Sequence, residues 1–300
     1  MAKWTKSNIG RQDNKIVIVT GSNSGIGFHT AKMLALRGAK VIMACRNIEK
    51  TKIAAGKIYE QDKNADLEII HLDLSDLASV RRLAAEINKR YDRLDILINN
   101  AGVLATPYKK TRDGFEWQFG INHLGHFALT GLLIDLLMKT NGSRVVTVTS
   151  IAHFRGTIHF DDLSGATWYG RMRAYRQSKL ANLLFAYELQ KRLKSSGSGT
   201  ISVAAQPGIS STHIVWLPFP VNKLKNLVLM SAAKGSLSVL MAATEKNIRG
   251  GEYIGPSGVW HAYGYPSVLR SGKSSYDEAL WAKLWKVSEQ MTGISYLNVK

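Results

Sequence analysis

Short runs of aliphatic, mostly β-branched residues recur along the chain, each followed by a stretch of helical periodicity, and this alternation is what most restricts the fold. Strands are expected at 15–20 (KIVIVT), 40–45 (KVIMAC), 67–73 (LEIIHLD), 94–101 (LDILINNA), 144–150 (RVVTVTS) and 200–206 (TISVAAQ). Helices are expected from a glycine-rich turn to about Arg37, where Gly38 suits a helix end, and over 48–62, 76–90 and 112–138. Another runs to about Lys194 before the Ser/Gly-rich 195–199, and 231–245 and 251–254 predict a further helix and a last strand. Apolar strands without polar alternation belong in a parallel sheet covered on both faces. The pattern therefore implies an α/β, doubly wound, mostly parallel sheet of the Rossmann kind, with ligands at the carboxyl ends of its strands. No linker or repeat divides the chain, so one domain is expected over 14–300, after a basic N-terminal tail, 1–13, that frays into solvent.

The first strand leads into TGSNSGIG, where Gly21, Ser22, Asn23, Ser24, Gly25, Ile26 and Gly27 stand directly before or at the start of a helix. Glycines permit the tight turn and a close backbone approach to a pyrophosphate, and the helix N-terminus offers free N–H groups. In this position the turn predicts a dinucleotide site. The second strand ends at Cys45-Arg46, where an NAD-preferring protein usually offers a carboxylate to the ribose. Arg46 suits a 2′-phosphate, which favours NADP(H) over NAD(H); the alternative is a solvated loop charge. Asp73, followed by Leu74, either accepts a hydrogen bond from an adenine amino group or caps the next helix with Ser75. Asn99-Asn100-Ala101-Gly102 either fits beside a ribose or is an ordinary turn.

In AYRQSKLANLLF, residues 174–185, Tyr175 and Lys179 lie four positions apart, one turn along the same helix face. An ammonium beside a phenol favours the phenolate, so the pair suggests a general acid/base with the phenol brought below its usual pKa of about 10. Tyr59 and Lys63 share that spacing on a solvated face, so spacing alone does not make a site.

The ordered set TGSNSGIG, Asp73-Leu74, NNAG, Asn122, Ser150, YRQSK and Pro207-Gly208 resembles the short-chain dehydrogenase/reductase family over about residues 14–260. ACRN (44–47), NHLGHF (122–127), FDDL (160–163), SKLANLL (178–184) and GGEYIGP (250–256) look most like its retinol-dehydrogenase-like branch, dominated by NADP(H) users acting on apolar alcohols and carbonyls. The resemblance implies a catalytic set of Asn122, Ser150, Tyr175 and Lys179. Tyr175 would exchange a proton with the substrate oxygen, and Ser150 would hydrogen-bond that oxygen. Lys179 would lower the tyrosine pKa and hold the nicotinamide ribose, and Asn122 would hold a water linking Lys179 to solvent. The resemblance also sets the glycine turn, Arg46, Asp73, Leu74, Asn100, Ala101, Gly102, Tyr175, Lys179, Pro207, Gly208 and Thr212 against the cofactor, Thr212 at the carboxamide. Two departures stand out: Gln206 where branch members often have histidine, and Ser24, which is not basic, so NADP preference rests on Arg46.

A net charge of +18 suits nucleic acid, an anionic membrane or a phosphorylated ligand. The basic residues are scattered and no nucleic-acid motif is present, so no specific nucleic-acid partner is expected. Weak peripheral membrane contact, with Trp4 among Lys3, Lys6 and Arg11, and a homo-oligomer both stay open. The single Cys45 excludes an internal disulfide. There is no signal-like apolar stretch, and the longest candidate span, 127–138, is short and holds Asp135, so no transmembrane segment and a cytoplasmic location are expected. No metal is expected: His123 and His126 lack a third ligand nearby and read as packing residues. His153 and His159 are expected at the surface or the pocket rim, and Trp281 and Trp285 in C-terminal packing or an oligomer contact. Residues 208–230, with Ile214, Val215, Trp216, Leu217 and Phe219, read as a lid over an apolar substrate, or as an interface or fixed core. The expected protein is an NADP(H)-dependent carbonyl reductase or alcohol dehydrogenase with a small apolar ketone, aldehyde or alcohol as substrate; the alternative is a non-catalytic NADP-binding sensor or scaffold protein.

Overall fold

The computed structural model describes residues 3–211 and 230–298. Its strands are β1 (Ile16–Thr20), β2 (Lys40–Cys45), β3 (Leu67–His71), β4 (Ile96–Asn99), β5 (Arg144–Val148), β6 (Ile201–Ala205), the two-residue β7 (Ser210–Ser211) and β8 (Met230–Ser231), β9 (Tyr253–Pro256) and β10 (Pro266–Leu269). Its helices are α1 (Gly25–Ala35), α2 (Ile48–Tyr59), α3 (Leu77–Arg90), the short α4 (Trp117–Phe119), α5 (Gly125–Lys139), α6 (Arg171–Ser195), α7 (Ala232–Thr244) and α8 (Glu278–Thr292). Eight strands form one sheet in the order β10-β9-β6-β5-β4-β1-β2-β3, while β7 pairs with β8. Neighbours in the large sheet are parallel except at the β9/β10 edge. The strand order reverses between β1 and β4, and a ligand crevice opens at such a reversal.

Alternation along the strands feeds two cores. Ile18, Ile42, Leu97 and Val145 face the layer of α3, α5 and α6, whereas Val17, Val19, Val41, Met43, Ile96 and Ile98 face α1, α2 and α7. Burial on both faces is why these strands read as unbroken apolar runs. In the first layer the Phe127 ring of α5 meets Phe185, Trp285 and Tyr296 at centroid distances of 5.7, 5.0 and 5.0 Å. Trp285 is thus a packing residue. The helical stretch Trp117–Lys139 is long and apolar enough to cross a membrane by length and composition, yet 78% of its most apolar window is buried inside the fold.

Three expectations change. The helix expected over 112–138 starts at Trp117, because the Glu116 carboxylate caps it by accepting hydrogen bonds from the N–H groups of Gln118 (2.9 Å) and Phe119 (2.6 Å); a π turn, Gly120–Leu124, then interrupts it. The strand expected last, at 251–254, is followed by β10, a short edge strand opened by a proline and lacking a β-branched run. The basic N-terminal segment does not fray among the described residues. Trp4 and Ile9 are buried in the α1/α7 layer, and the Trp4 indole donates to Glu245 at 3.0 Å. Most of the expected lid, including Ile214, Val215, Trp216, Leu217 and Phe219, lies outside the described residues, as does Thr212.

Candidate active site

At the end of β1 the chain turns through Gly21, whose φ of +65° is left-handed; a Cβ there would stand 2.9 Å from the Ala101 Cα after β4. A Cβ on Gly27 in α1 would overlap the Gly21 carbonyl oxygen and the Asn100 side-chain amide. Two strands and a helix start converge here with room only for glycine. Thr20 locks the convergence: its hydroxyl accepts from the N–H groups of Asn100 and Ala101, both at 2.9 Å, and the Asn100 amide donates to the Thr20 carbonyl at 2.8 Å. Ser24 occupies the N-cap of α1 without a side-chain hydrogen bond to the helix. Ser22 points the other way. It is fully buried, its N–H donates to the Cys45 thiol at 3.1 Å, and it does not line the cavity, unlike Gly21, Asn23, Ser24, Gly25, Ile26 and Gly27.

Arg46 is exposed at the end of β2 and faces the cavity with no ion-pair partner among the described residues. Lys50, in the first turn of α2, stands on the same wall; the sequence reading passed over it, although its place four residues after Arg46 is a usable signal. Asp73 and Leu74 line the cavity too, and the Asp73 carboxylate accepts from the backbone N–H (3.0 Å) and hydroxyl (2.7 Å) of Ser75.

The other end of the cavity is built by β5 and α6. Ser150 follows β5 and caps a 3₁₀ turn, Ile151–Arg155, by accepting from the Ala152 N–H at 3.2 Å. Tyr175 and Lys179 lie one turn apart on α6, with the ammonium 5.8 Å from the phenol ring centroid. Lys179 Nζ donates to the Val148 carbonyl at 3.1 Å, and the Thr149 hydroxyl to the Lys179 carbonyl at 2.6 Å, so α6 is pinned to the end of β5. Asn122 sits in the π turn behind the cavity wall. Its side chain accepts from the Val103 N–H (2.8 Å) and donates to the Val103 carbonyl and the Ser178 hydroxyl (both 2.9 Å). Asn122 and Lys179 are neighbours: a Cβ on Gly102 would stand 3.2 Å from Asn122 Oδ1 and 3.5 Å from Lys179 Nζ.

Burial governs the titration of this pair. It raises the Tyr175 phenol, an effect the Ser150 hydroxyl partly offsets, and brings Lys179 down to about 8. The lowered phenol expected from the Tyr/Lys spacing is therefore not found: desolvation raises it, and the opposing influence is the Ser150 hydroxyl.

The glycine turn, Arg46, Asp73, Ser150, Tyr175 and Lys179 share a cavity of about 1270 Å³ at the carboxyl ends of the strands, also lined by Pro207, Gly208, Phe154, Met172, Trp260 and His261. Residues 15–217 match the model of the family described as short chain dehydrogenase. The chain belongs to the short-chain dehydrogenase/reductase family. It is 40% identical to retinol dehydrogenase 12 of Mus musculus over 288 residues, 94% of this chain and 87% of that protein. With retinol dehydrogenase 13 of Homo sapiens it shares 50% identity over 201 residues, 67% of this chain and 60% of that one. The chain thus falls in the retinol-dehydrogenase-like branch of that family. A crystal structure of an uncharacterized protein from Mycobacterium paratuberculosis superposes with a TM-score of 0.84 at 40% identity, covering 98% of this chain and 99% of that one. A short-chain dehydrogenase from Shigella flexneri, crystallised with NADP, shares the fold at a TM-score of 0.64 and 24% identity, over 80% of this chain and 96% of its own.

The nicotinamide dinucleotide of such an oxidoreductase fits the residues present: the glycine convergence leaves backbone where a Cβ would intrude, the uncapped α1 N-terminus suits a pyrophosphate, and Arg46 and Lys50 supply cationic donors. Gln206 is fully buried; it accepts from the Gly208 N–H (2.8 Å) and donates to the His261 carbonyl (2.7 Å). It thereby ties the loop after β6 to Trp260 and His261, whose φ values of +52° and +58° are left-handed. Nothing in the sequence marked these two residues, nor Phe154 and Met172, because they carry no period or motif. His159 is half-buried, with its ring 4.3 Å from that of Trp168. His153, expected at the surface or rim, is fully buried, because its ring nitrogens have backbone partners inside the fold.

Proposed function

We propose that the protein is an NADP(H)-dependent oxidoreductase that interconverts an apolar ketone or aldehyde with its alcohol, with Tyr175 as general acid/base. The observation that carries this reading is the convergence of Ser150, Tyr175 and Lys179 on the cavity whose other end holds the glycine turn and Arg46. When bound, the dinucleotide supplies or accepts the hydride. Tyr175, kept protonated at neutral pH by burial, donates its proton to the carbonyl oxygen in reduction and removes the hydroxyl proton in oxidation. Ser150 donates a hydrogen bond to the same oxygen as charge develops on it. Lys179 holds the nicotinamide ribose and keeps a positive charge near the phenol, while Asn122 braces the wall behind Lys179. Arg46, with Lys50, holds the 2′-phosphate.

Phe154, Met172 and Trp260 give the substrate end an apolar lining. The names of the relatives agree with an apolar substrate: retinol dehydrogenases, and a polyprenol dehydrogenase of Homo sapiens 37% identical over 292 residues. The test is an oxidation screen with NADPH and NADH in parallel, over aliphatic and aromatic aldehydes and ketones. Turnover with NADPH that disappears in Tyr175→Phe supports the reading. NADP binding without turnover of any carbonyl or alcohol would return the protein to the sensor or scaffold class.

A further inference from the structure

His153 lies three residues after Ser150 in the 3₁₀ turn and has no exposed surface. Its Nε2 is 3.0 Å from the backbone nitrogen of Gly272, a group that can only donate. Nε2 is therefore the acceptor and the neutral ring carries its proton on Nδ1, which lies 2.6 Å from the Ser150 carbonyl oxygen. That carbonyl also accepts from the His153 backbone N–H at 3.0 Å. Two hydrogen bonds from one residue thus fix the Ser150 peptide, and with it the direction of the Ser150 side chain.

The ring itself has little room to move. It packs on Phe154 at 4.2 Å and meets Tyr253 edge-on at 5.3 Å, and a Cβ on Gly272 would come within 3.5 Å of His153 Cδ2. Beyond Gly272, the Ser271 hydroxyl hydrogen-bonds Tyr187 on α6 at 2.7 Å. A polar chain therefore runs from Ser150 through His153, Gly272 and Ser271 to the helix that carries Tyr175.

We propose that His153 is a positioning residue that fixes Ser150 relative to Tyr175; this rests on the reading of Ser150 as the hydroxyl that meets the substrate oxygen. Burial holds the ring neutral, with its pKa lowered to about 4, so the Nδ1–H donor is present throughout the neutral range.

Asparagine at this position keeps a donor near Nδ1, and glutamine keeps a polar group near Nε2 alone. With NADPH and a carbonyl from the screen, His153→Gln should lower kcat roughly 10- to 100-fold with KM and the NADPH Kd nearly unchanged, and His153→Asn should recover most of that loss. In a Ser150→Ala background His153→Gln should cost little more, since the group it positions is gone. Nitrogen NMR of the wild-type ring should show the Nδ1–H tautomer. Undiminished kcat in His153→Gln, equal losses in the two variants, an undiminished effect in the Ser150→Ala background, or an Nε2–H ring would each overturn the proposal. If Ser150→Ala itself turned over normally, the reading of the site would fail first; a crippled Ser150→Ala beside a fully active His153→Gln would sink the positioning role alone.

Discussion

Tyr175 and Lys179 illustrate what residue spacing reveals and what it hides. Their presence on one helix face was legible in the sequence, but the direction of the phenol shift was not, because it depends on desolvation, which only the folded chain sets. With the phenol raised and the ammonium near 8, Tyr175 stands ready to donate at neutral pH. Carbonyl reduction should hold through neutrality and decline as pH rises past about 8 and Lys179 loses its proton, whereas alcohol oxidation should rise with pH; a reduction rate that climbs, or an oxidation rate that falls, over this range would contradict the assignment. The buried ammonium also costs stability. Its folded pKa lies below the unfolded value of 10.5, so the cost is full below pH 8 and gone above 10.5, and at about 1.4 kcal/mol per unit it reaches roughly 3 kcal/mol. Lys179→Met should therefore raise the urea midpoint at pH 7 while abolishing turnover. Arg46 stands out in the sequence as a cation at a strand end; Lys50, its helix-borne companion, is marked only by its place four residues later. Arg46→Ala should weaken NADPH binding by about tenfold or more and leave NADH binding nearly unchanged, as read by fluorescence titration.

At the scale of elements, the central strands were readable to within two residues or so because burial on both faces leaves an apolar signature that a solvent-facing strand lacks. β10 escaped notice for the converse reason, and the start of α4 because a carboxylate cap, not periodicity, set it. The junction of β1, β4 and α1 leaves no room for a side chain at Gly27. Gly27→Ala puts a methyl group against the Gly21 carbonyl and Asn100, and should destabilise the protein by about 1–3 kcal/mol while sharply weakening NADPH binding. Chemical denaturation and a binding titration on the same preparation would show both effects; a variant that binds NADPH normally would mean that the turn does not approach the cofactor.

For the molecule as a whole, one large, mostly parallel sheet follows from the alternation, but its strand order and the polar residues buried around it do not. His123, His126 and His153 are all fully buried and neutral, their pKa values lowered by burial to about 3, 4 and 4. The unfolded chain binds protons at these histidines near pH 6.5 while the folded one refuses them, so stability falls as pH drops through 6.5 and toward 4. Three such groups give a slope of up to about 4 kcal/mol per pH unit near pH 5, and urea titrations at stepped pH should show it. The aromatic packing around Phe127 bears on synthesis as well as on the finished fold. Trp285 and Tyr296, which cover that ring, leave the ribosome more than 150 residues after it, so an apolar α5 must wait, incompletely covered, until they emerge. A chain stopped before α8 should aggregate or engage chaperones even though every residue of the cavity has already been made.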